Sequence, residues 1–143
     1  MRKLVIVFLI WDLCSCSENI RKEGVIETWP NGMTKVERIH LAADTFLVKH
    51  YNEDFKLYMK GKTILRDSQE VKHGTWESYY PNGRRWSLNT FVEGVENGIY
   101  KTWHPNGNLN ISGHYSMGSS TGVWTFFNGE GVIVKTFDAT PGN

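Results

Sequence analysis

The sequence predicts an all-β protein, an elongated antiparallel β-meander of repeated hairpins that is largely a single layer thick. Three observations support this prediction. A motif recurs with a period of 24 residues, each clear copy carries a turn signal, and no stretch after Cys16 has a convincing apolar repeat at the helical period of about 3.6 residues. Aromatic residues make up 13% of the chain, which favours strands over helices.

The motif combines a glycine, spaced aromatic residues and a turn signal. Its clearest copies run from Gly74 to Gly83, from Gly98 to Gly107 and from Gly122 to Gly131. An earlier copy occupies residues 25–32, and residues 33–73 have room for one degenerate unit that lacks the glycines and the Pro-Asn-Gly turn. Self-similarity at a fixed period is typical of an array whose units bury their apolar surface against neighbours. We therefore predict the array over residues 24–137 and a C-terminal tail over residues 138–143.

Each unit has the pattern of a β-hairpin. Asn-Gly favours a type I′ turn, in which both central residues have a positive φ, and the preceding proline ends the first strand. Counting outward from this turn predicts cross-strand pairs of Tyr100 with Gly113, Trp103 with Asn110, His104 with Leu109, and Tyr79 with Trp86. The pleat predicts one sheet face with Trp76, Ser78 and Tyr80, and a second face with Glu77, Tyr79, Trp86 and Leu88.

The first sixteen residues have the pattern of an export signal. Arg2 and Lys3 precede an apolar run at residues 4–11 that has the length of a signal-peptide core and is too short to span a bilayer. The segment Leu13-Cys14-Ser15-Cys16 resembles a bacterial lipobox, in which the last cysteine receives the lipid and becomes the new N-terminus. The alternatives are a buried N-terminal strand and a Cys-x-Cys metal or redox pair, for which no further ligands follow at metal-site spacing.

These features predict a lipoprotein signal peptide at residues 1–15, a lipid on Cys16, and a polar tether over residues 16–23, with the protein held at the bacterial cell envelope after export. Cleavage removes two basic residues and one acidic residue, so that the 16 basic and 15 acidic residues become 14 of each. A neutral chain argues against a nucleic-acid partner, which requires an excess of Lys and Arg. It also argues against binding to anionic lipids, where each basic residue contributes only about 1 kcal/mol.

The pattern Gly-x-aromatic-x-x-aromatic-aromatic-Pro-Asn-Gly, followed by a strand and by aromatic-x-x-Gly, resembles the MORN-repeat variant of bacterial proteins of the YwqK-type antitoxin family. The resemblance covers about residues 24–137 and is specific over residues 74–131. It implies an all-β array of hairpins without catalytic machinery, some members of which neutralise a partner toxin by binding it. It supplies no motif of functional residues.

The residues with catalytic or metal-binding chemistry do not combine into a site in this sequence. Five histidines are present, but the predicted register places His114 opposite Ile99, roughly 17 Å from His104 at about 3.3 Å per residue. The acidic pairs Glu93 with Glu96 and Glu53 with Asp54 lie in predicted turns. We therefore predict that the protein is not an enzyme and has no catalytic residues, no metal site and no cofactor.

A row of aromatic side chains is the strongest candidate for a binding surface. Its members recur at one phase of successive units and are Trp76, Tyr80, Tyr100, His104, Trp124 and Phe126. Contiguous exposed aromatic surface is typical of binding sites, whereas the alternative is that the row packs on itself and holds the sheet together.

Two classes of function follow from this interpretation. The first is a non-catalytic module anchored by its lipid in the membrane that binds a protein, for which a toxin is one candidate, as an antitoxin or immunity-type protein. The second is an envelope scaffold or polysaccharide-binding protein that places glycan rings against the aromatic face.

Overall fold

The computed structural model describes residues 23–140. The predicted signal peptide, the predicted lipidation site Cys16 and residues 141–143 lie outside the described residues. Ten β-strands follow one another within residues 23–140: β1 Gly24–Thr28, β2 Thr34–Ala42, β3 Thr45–Tyr51, β4 Leu57–Arg66, β5 Gln69–Tyr79, β6 Arg85–Val92, β7 Val95–Trp103, β8 Leu109–Ser116, β9 Ser119–Phe127 and β10 Ile133–Asp138.

All ten strands form one open antiparallel sheet in which each strand pairs with its neighbours in sequence order. The prediction of an all-β antiparallel meander is thus confirmed. Within residues 23–140 there is no helix with the length and apolar character needed to cross a membrane.

Three-residue loops close the hairpins on one side of the sheet, where the strands end. We call this side the turn edge, as distinct from the edge strands β1 and β10. In the copy at residues 104–108, the Gly107 amide donates to the His104 carbonyl (2.8 Å) and the His104 amide donates to the Asn108 carbonyl (2.8 Å). Gly107 has a φ of 97°, whereas Asn106 is not among the residues with a positive φ. This geometry is a type I turn followed by a left-handed glycine, so the predicted type I′ turn is wrong at this edge. Pro105 explains the difference, because its fixed φ suits the first central position of a type I turn.

Type I′ turns occur instead on the opposite side of the sheet, at the other ends of the strands. Both central residues have positive φ values at Glu93 (50°) and Gly94 (86°), and again at Met117 (50°) and Gly118 (83°). The amide of Gly94 donates to the Lys72 carbonyl (2.8 Å), so this turn also bonds to the preceding hairpin. Two-residue turns of this type match the right-handed twist of the strands that they join.

The register agrees with the prediction in the middle of each hairpin and departs from it beside the turn edge. Tyr100 pairs with Gly113 as predicted, but Trp103 pairs with Leu109 rather than with Asn110. A one-residue bulge at Asn110 accounts for this shift, and it also removes the predicted pair of His104 with Leu109. A matching bulge at Trp86 pairs Tyr79 with Arg85, so that the predicted pair of Tyr79 with Trp86 is wrong.

Residues 33–73 fold into the same hairpins with different residues. The loop at residues 52–56 has the hydrogen bonds of the Pro-Asn-Gly loops, with the Phe55 amide donating to the Asn52 carbonyl (3.0 Å). Phe55 has a φ of 58° and occupies the position where the regular loops have glycine. Its ring stacks on Tyr51, with 4.7 Å between ring centroids. The backbone geometry of the repeat therefore does not require the repeat's own residues.

The two faces of the sheet differ in character. The packed face carries Val48, Trp76, Tyr100 and Trp124, and its core cluster consists of Val36, Val48 and Trp76 with Ile26, Met59 and Phe91 against them. The charged face carries ion pairs between neighbouring strands, among them Lys49 with Glu37 (3.0 Å) and Arg85 with Glu77 (2.7 Å). The core cluster therefore lies on one side of the described sheet.

Candidate functional site

The packed face is organised in rows of side chains that run across the strands. The central row consists of Arg38, Val48, Gly61, Trp76, Asn89, Tyr100, Gly113, Trp124 and Phe137. Two of its glycines provide room for the indole rings. A Cβ atom on Gly61 would lie 2.2 Å from the Trp76 ring, and one on Gly113 would lie 2.3 Å from the Trp124 ring. Each tryptophan thus lies directly on the backbone of the preceding strand.

Three of the predicted partner-binding residues, Trp76, Tyr100 and Trp124, lie in this central row. Trp76 and Trp124 are each only 6% exposed. The rings of Tyr100 and Trp124 are 5.4 Å apart, and burial raises the pKa of Tyr100 above its ordinary value. These contacts place Trp76 and Trp124 in the core of the sheet, as in the alternative in which the row packs on itself.

The structure separates the other predicted residues from the central row. Tyr80 and His104 lie at the turn edge, where each side chain hydrogen-bonds the backbone of the next hairpin. The Tyr80 hydroxyl donates to the Trp103 carbonyl (2.8 Å), and His104 Nε2 contacts the Phe127 carbonyl (2.9 Å). Phe126 belongs to a neighbouring row and stacks on Phe137, with ring centroids 6.1 Å apart. The predicted partner-binding role of these residues stays a prediction.

The asparagine of each Pro-Asn-Gly loop bonds to the following loop. Asn106 Nδ2 donates to the Gly129 carbonyl (2.5 Å), and Asn31 Nδ2 donates to the Glu53 carbonyl (3.2 Å). The oxygen of the same side-chain amide, Asn106 Oδ1, accepts from the Asn108 backbone amide (3.0 Å) within its own loop. This residue is therefore favoured for its side-chain hydrogen bonds, and not for the positive φ that the sequence suggested.

A groove of about 350 Å³ lies on the packed face at the middle of the sheet. The groove lies along the row of side chains next to the central row. This second row has large side chains at its two ends and small side chains in its middle. That row runs through His50, Met59, Ser78, Ser87, Thr102, Ile111 and Phe126. Ser78 Oγ and Ser87 Oγ hydrogen-bond to each other, which occupies two of the hydroxyls on the groove floor.

Aromatic rings from the bulges beside the turn edge line the same groove. Trp86 is 51% exposed and Tyr58 is 39% exposed, although both are large apolar side chains. Trp86 was predicted on the face of Glu77 and Leu88. The bulge brings it to the groove with Trp76 and Ser78 instead. Its ring lies 6.2 Å from that of Tyr80.

Few charged side chains line the groove. The Lys72 ammonium lies 4.6 Å from the Trp76 ring centroid and 4.9 Å from that of Phe91, which keeps the cation against aromatic faces. Asn89 Nδ2 donates to Glu96 (2.5 Å), whereas Asn89 Oδ1 and Thr102 Oγ1 are buried without a hydrogen-bond partner. The lining is mainly apolar, so the groove is suited to an apolar side chain more than to a charged ligand.

The histidines and carboxylates remain apart. His114 pairs with Ile99, as the register predicted, and His104 is held at the turn edge. Within residues 23–140 no three histidine, cysteine or acidic side chains group closely enough to hold a metal ion.

Sequence reasoning missed Trp86, Tyr58 and the two glycines beneath the indoles. A bulge reverses the face that a residue occupies, and nothing in the local sequence marks these bulges. Gly113 stands 24 residues after Asn89, at the same phase of the repeat. The sequence signal for the space beneath Trp124 was therefore this replacement of asparagine by glycine from one repeat to the next.

Comparison with known families identifies two adjacent repeats. The model described as the MORN repeat variant matches residues 72–92 and 96–117. A comparison with curated proteins found no match. MORN repeats form a non-catalytic binding module and generally mediate interactions with proteins or membrane lipids. The chain therefore carries a MORN repeat variant in the part of the sheet that forms the groove.

Proposed function

We propose that the protein is a non-catalytic binding module that recognises a protein partner through the groove on its packed face. The observation that carries the proposal is the exposure of Trp86 and Tyr58 beside a mainly apolar groove, in a face where the rings of Trp76 and Trp124 are buried. Exposed aromatic residues at the rim of an apolar pocket are typical of the residues that dominate binding energy at protein interfaces.

A capture experiment with matched variants tests this function. Full-length protein, Trp86→Ala and Lys101→Ala serve as baits for envelope and secreted fractions of the native cell. Lys101 lies on the opposite side of the sheet, in the row of Glu77 and Leu88. We expect one stoichiometric protein with the wild type and with Lys101→Ala, and at least a tenfold reduction with Trp86→Ala. Capture that is equal for all three baits would contradict the proposal.

The site of action that we propose is the bacterial envelope, with the protein anchored through a lipid on Cys16. The cationic start, the short apolar run and the lipobox-like cysteine support this part of the proposal. Growth with a labelled fatty acid should label the wild-type chain and leave Cys16→Ser unlabelled, while Cys14→Ser behaves as the wild type. An unlabelled wild-type chain that still begins at Met1 would contradict it.

The role that we propose for the interaction is that of an antitoxin or immunity-type protein. The resemblance of residues 74–131 to bacterial antitoxin repeats supports it, together with the non-catalytic nature of the matched module. A partner obtained by capture should inhibit growth when produced alone and lose that effect when the wild-type chain, but not Trp86→Ala, is produced with it. A partner without any effect on growth would restrict the function to scaffolding.

A glycan is the second candidate, because the exposed Trp86 ring lies beside the hydroxyl groups of Ser87 and Ser78. Rings of this kind can stack on sugars. Retention of the wild type on immobilised envelope polysaccharide, together with loss of retention in Trp86→Ala and no captured protein, would favour this candidate over the first.

A further inference from the structure

The first and last described strands each pair with a neighbour on one side only. β10 pairs with β9 and β1 pairs with β2, and these two strands form the ends of the described sheet. All six residues of β10 are exposed, including Ile133 (58%) and Phe137 (42%). An exposed apolar edge strand presents unpaired amide and carbonyl groups that can hydrogen-bond to another strand.

The two ends are complementary in the phase of the repeat. Wherever consecutive hairpins meet, the strand that follows a turn-edge loop pairs with the strand that precedes the next such loop, as β2 does with β3 and β6 with β7. β10 follows the loop at residues 128–132, and β1 precedes the loop at residues 29–33. A second copy that placed its β1 beside β10 would therefore continue the array with the same type of strand pair.

The register of the existing pairs brings opposite charges together at this junction. Val36 lies seven residues after the start of its loop and pairs with His50, two residues before the start of the next loop. Ser87 and Thr102 repeat this relation. The equivalent residues at the junction are Lys135 on β10 and Glu27 on β1 of the second copy.

Both charged side chains are accessible on the edge strands that carry them. Glu27 is about half exposed and forms an ion pair with Lys35 of its own hairpin (2.9 Å). The Lys135 ammonium lies against the rings of Phe126 (5.6 Å) and Phe137 (5.8 Å). A directly opposed pair of opposite charges stabilises neighbouring strands, whereas a pair of like charges destabilises them.

We propose that copies of this chain associate head to tail, with β10 of one copy pairing antiparallel with β1 of the next and Lys135 opposite Glu27. Such an interface is heterologous, because it joins two different surfaces. It therefore leaves one free β1 and one free β10 at the ends of every open assembly and permits growth beyond a dimer.

Charge reversal on each edge strand, β1 and β10, tests the proposal. The full chain carries Cys14→Ser and Cys16→Ser, so that neither a lipid nor a disulfide can join copies, and its mass is measured by sedimentation equilibrium over a range of concentrations. We expect an average mass that rises with concentration past that of a dimer. Lys135→Glu alone and Glu27→Lys alone each place like charges at the junction, and each should weaken association about tenfold. Lys62→Glu makes the same charge change on the interior strand β4 and should associate as the wild type.

Mixing the two edge variants provides the decisive result. In an equimolar mixture, the altered β10 of Lys135→Glu can pair with the altered β1 of Glu27→Lys, and the unaltered edges of the two variants can pair with each other. Every junction of such an alternating assembly joins opposite charges, so association should return to about the wild-type level. Circular dichroism and thermal unfolding of each variant establish that it is folded.

Two results would overturn the proposal. One is a wild type that is monomeric at every concentration. The other is association of Glu27→Lys equal to that of the wild type, since it would indicate symmetric β10 pairing or another surface.

Discussion

The degenerate segment at residues 33–73 and the regular repeats at residues 74–131 reach the same fold in different ways. Among the described residues, ten residues other than glycine are buried, and six of them lie in the degenerate segment: Val36, Arg38, Phe46, Val48, Thr63 and Ile64. The regular repeats contribute Trp76, Ser78, Thr102 and Trp124. The part of the chain with the weaker repeat pattern therefore has the more extensive core.

This difference shows what the repeat motif encodes. Its proline, asparagine and glycine specify loops and the hydrogen bonds between loops, as Asn106 illustrates. The degenerate segment lacks this Pro-Asn-Gly combination and relies on burial, including an ion pair between Arg38 and Glu70 (2.7 Å) whose arginine is 3% exposed.

Core truncation should be severe in both regions. Phe46→Ala in the degenerate segment and Trp124→Ala in the regular repeats each remove a large buried ring and should each lower the free energy of unfolding by about 3–5 kcal/mol. Urea unfolding followed by circular dichroism measures the effect, with the exposed Val123→Ala as a control that changes stability by less than about 0.5 kcal/mol. A large loss for Phe46→Ala alone would mean that the regular repeats do not depend on their indole rows.

Filling the space beneath the indoles should be the next largest effect. Gly61→Ala and Gly113→Ala place a methyl group inside the contact distance of Trp76 and Trp124, and each should lower the free energy of unfolding by about 1–3 kcal/mol. Gly129→Ala is the matched control, because its Cβ would meet nothing closer than 3.9 Å and its φ is not left-handed. Equal stability of all three variants would contradict the close packing of the rings.

Exchanging asparagine and aspartate at equivalent positions of the turn-edge loops should change the free energy of unfolding in opposite directions in the two regions. Asn106→Asp removes the donor to the Gly129 carbonyl and should lower the free energy of unfolding by about 1 kcal/mol. Asp54→Asn introduces a donor at the equivalent position of the degenerate loop and should raise it by about 0.5 kcal/mol. Thermal unfolding at neutral pH measures both, and a stabilising Asn106→Asp would contradict the role assigned to this asparagine.

The smallest expected effect is a pH dependence of stability that arises from His50 in the degenerate segment. Burial lowers the pKa of His50 below its ordinary value of 6.5; the nearby charges of Lys72 and Lys35 add to this lowering, whereas those of Glu27 and Glu70 oppose it. Because the folded-state pKa is depressed, the associated stability is present above pH 6.5 and is lost as the pH falls through the folded-state pKa. His50→Gln should remove this slope of unfolding free energy against pH, whereas His114→Gln should preserve it. An unchanged slope in His50→Gln would contradict the assignment.

The sequence was sufficient for the period, the strand order and the pairing at the centre of each hairpin. Tyr100 pairs with Gly113 as counting from the turn predicts, because strand pairing propagates with a fixed alternation. Counting failed within two residues of the turn edge, where a bulge in each following strand shifts the register by one. Bulges depend on the twist of the sheet and on cross-strand packing, so the short sequences around Trp86 and Asn110 do not reveal them.

The candidate site was predictable only in part. The aromatic periodicity predicted one row of six residues, and the structure places Trp76, Tyr100 and Trp124 of these in the central row. The groove depends on small side chains at Ser78, Ser87 and Thr102, which become neighbours only after the register of three different strand pairs is known. Its most exposed aromatic residue, Trp86, was assigned to the opposite face by simple alternation.

Photo-crosslinking in living cells tests most directly the claim that the groove receives a protein partner. A photoreactive phenylalanine analogue replaces Trp86 in the groove or, as a control, Lys101 on the charged face of the full-length chain. The account predicts one discrete crosslinked protein from position 86 and none from position 101. Crosslinking from position 101 with none from position 86 would contradict it, because the partner would then lie on the opposite face of the sheet.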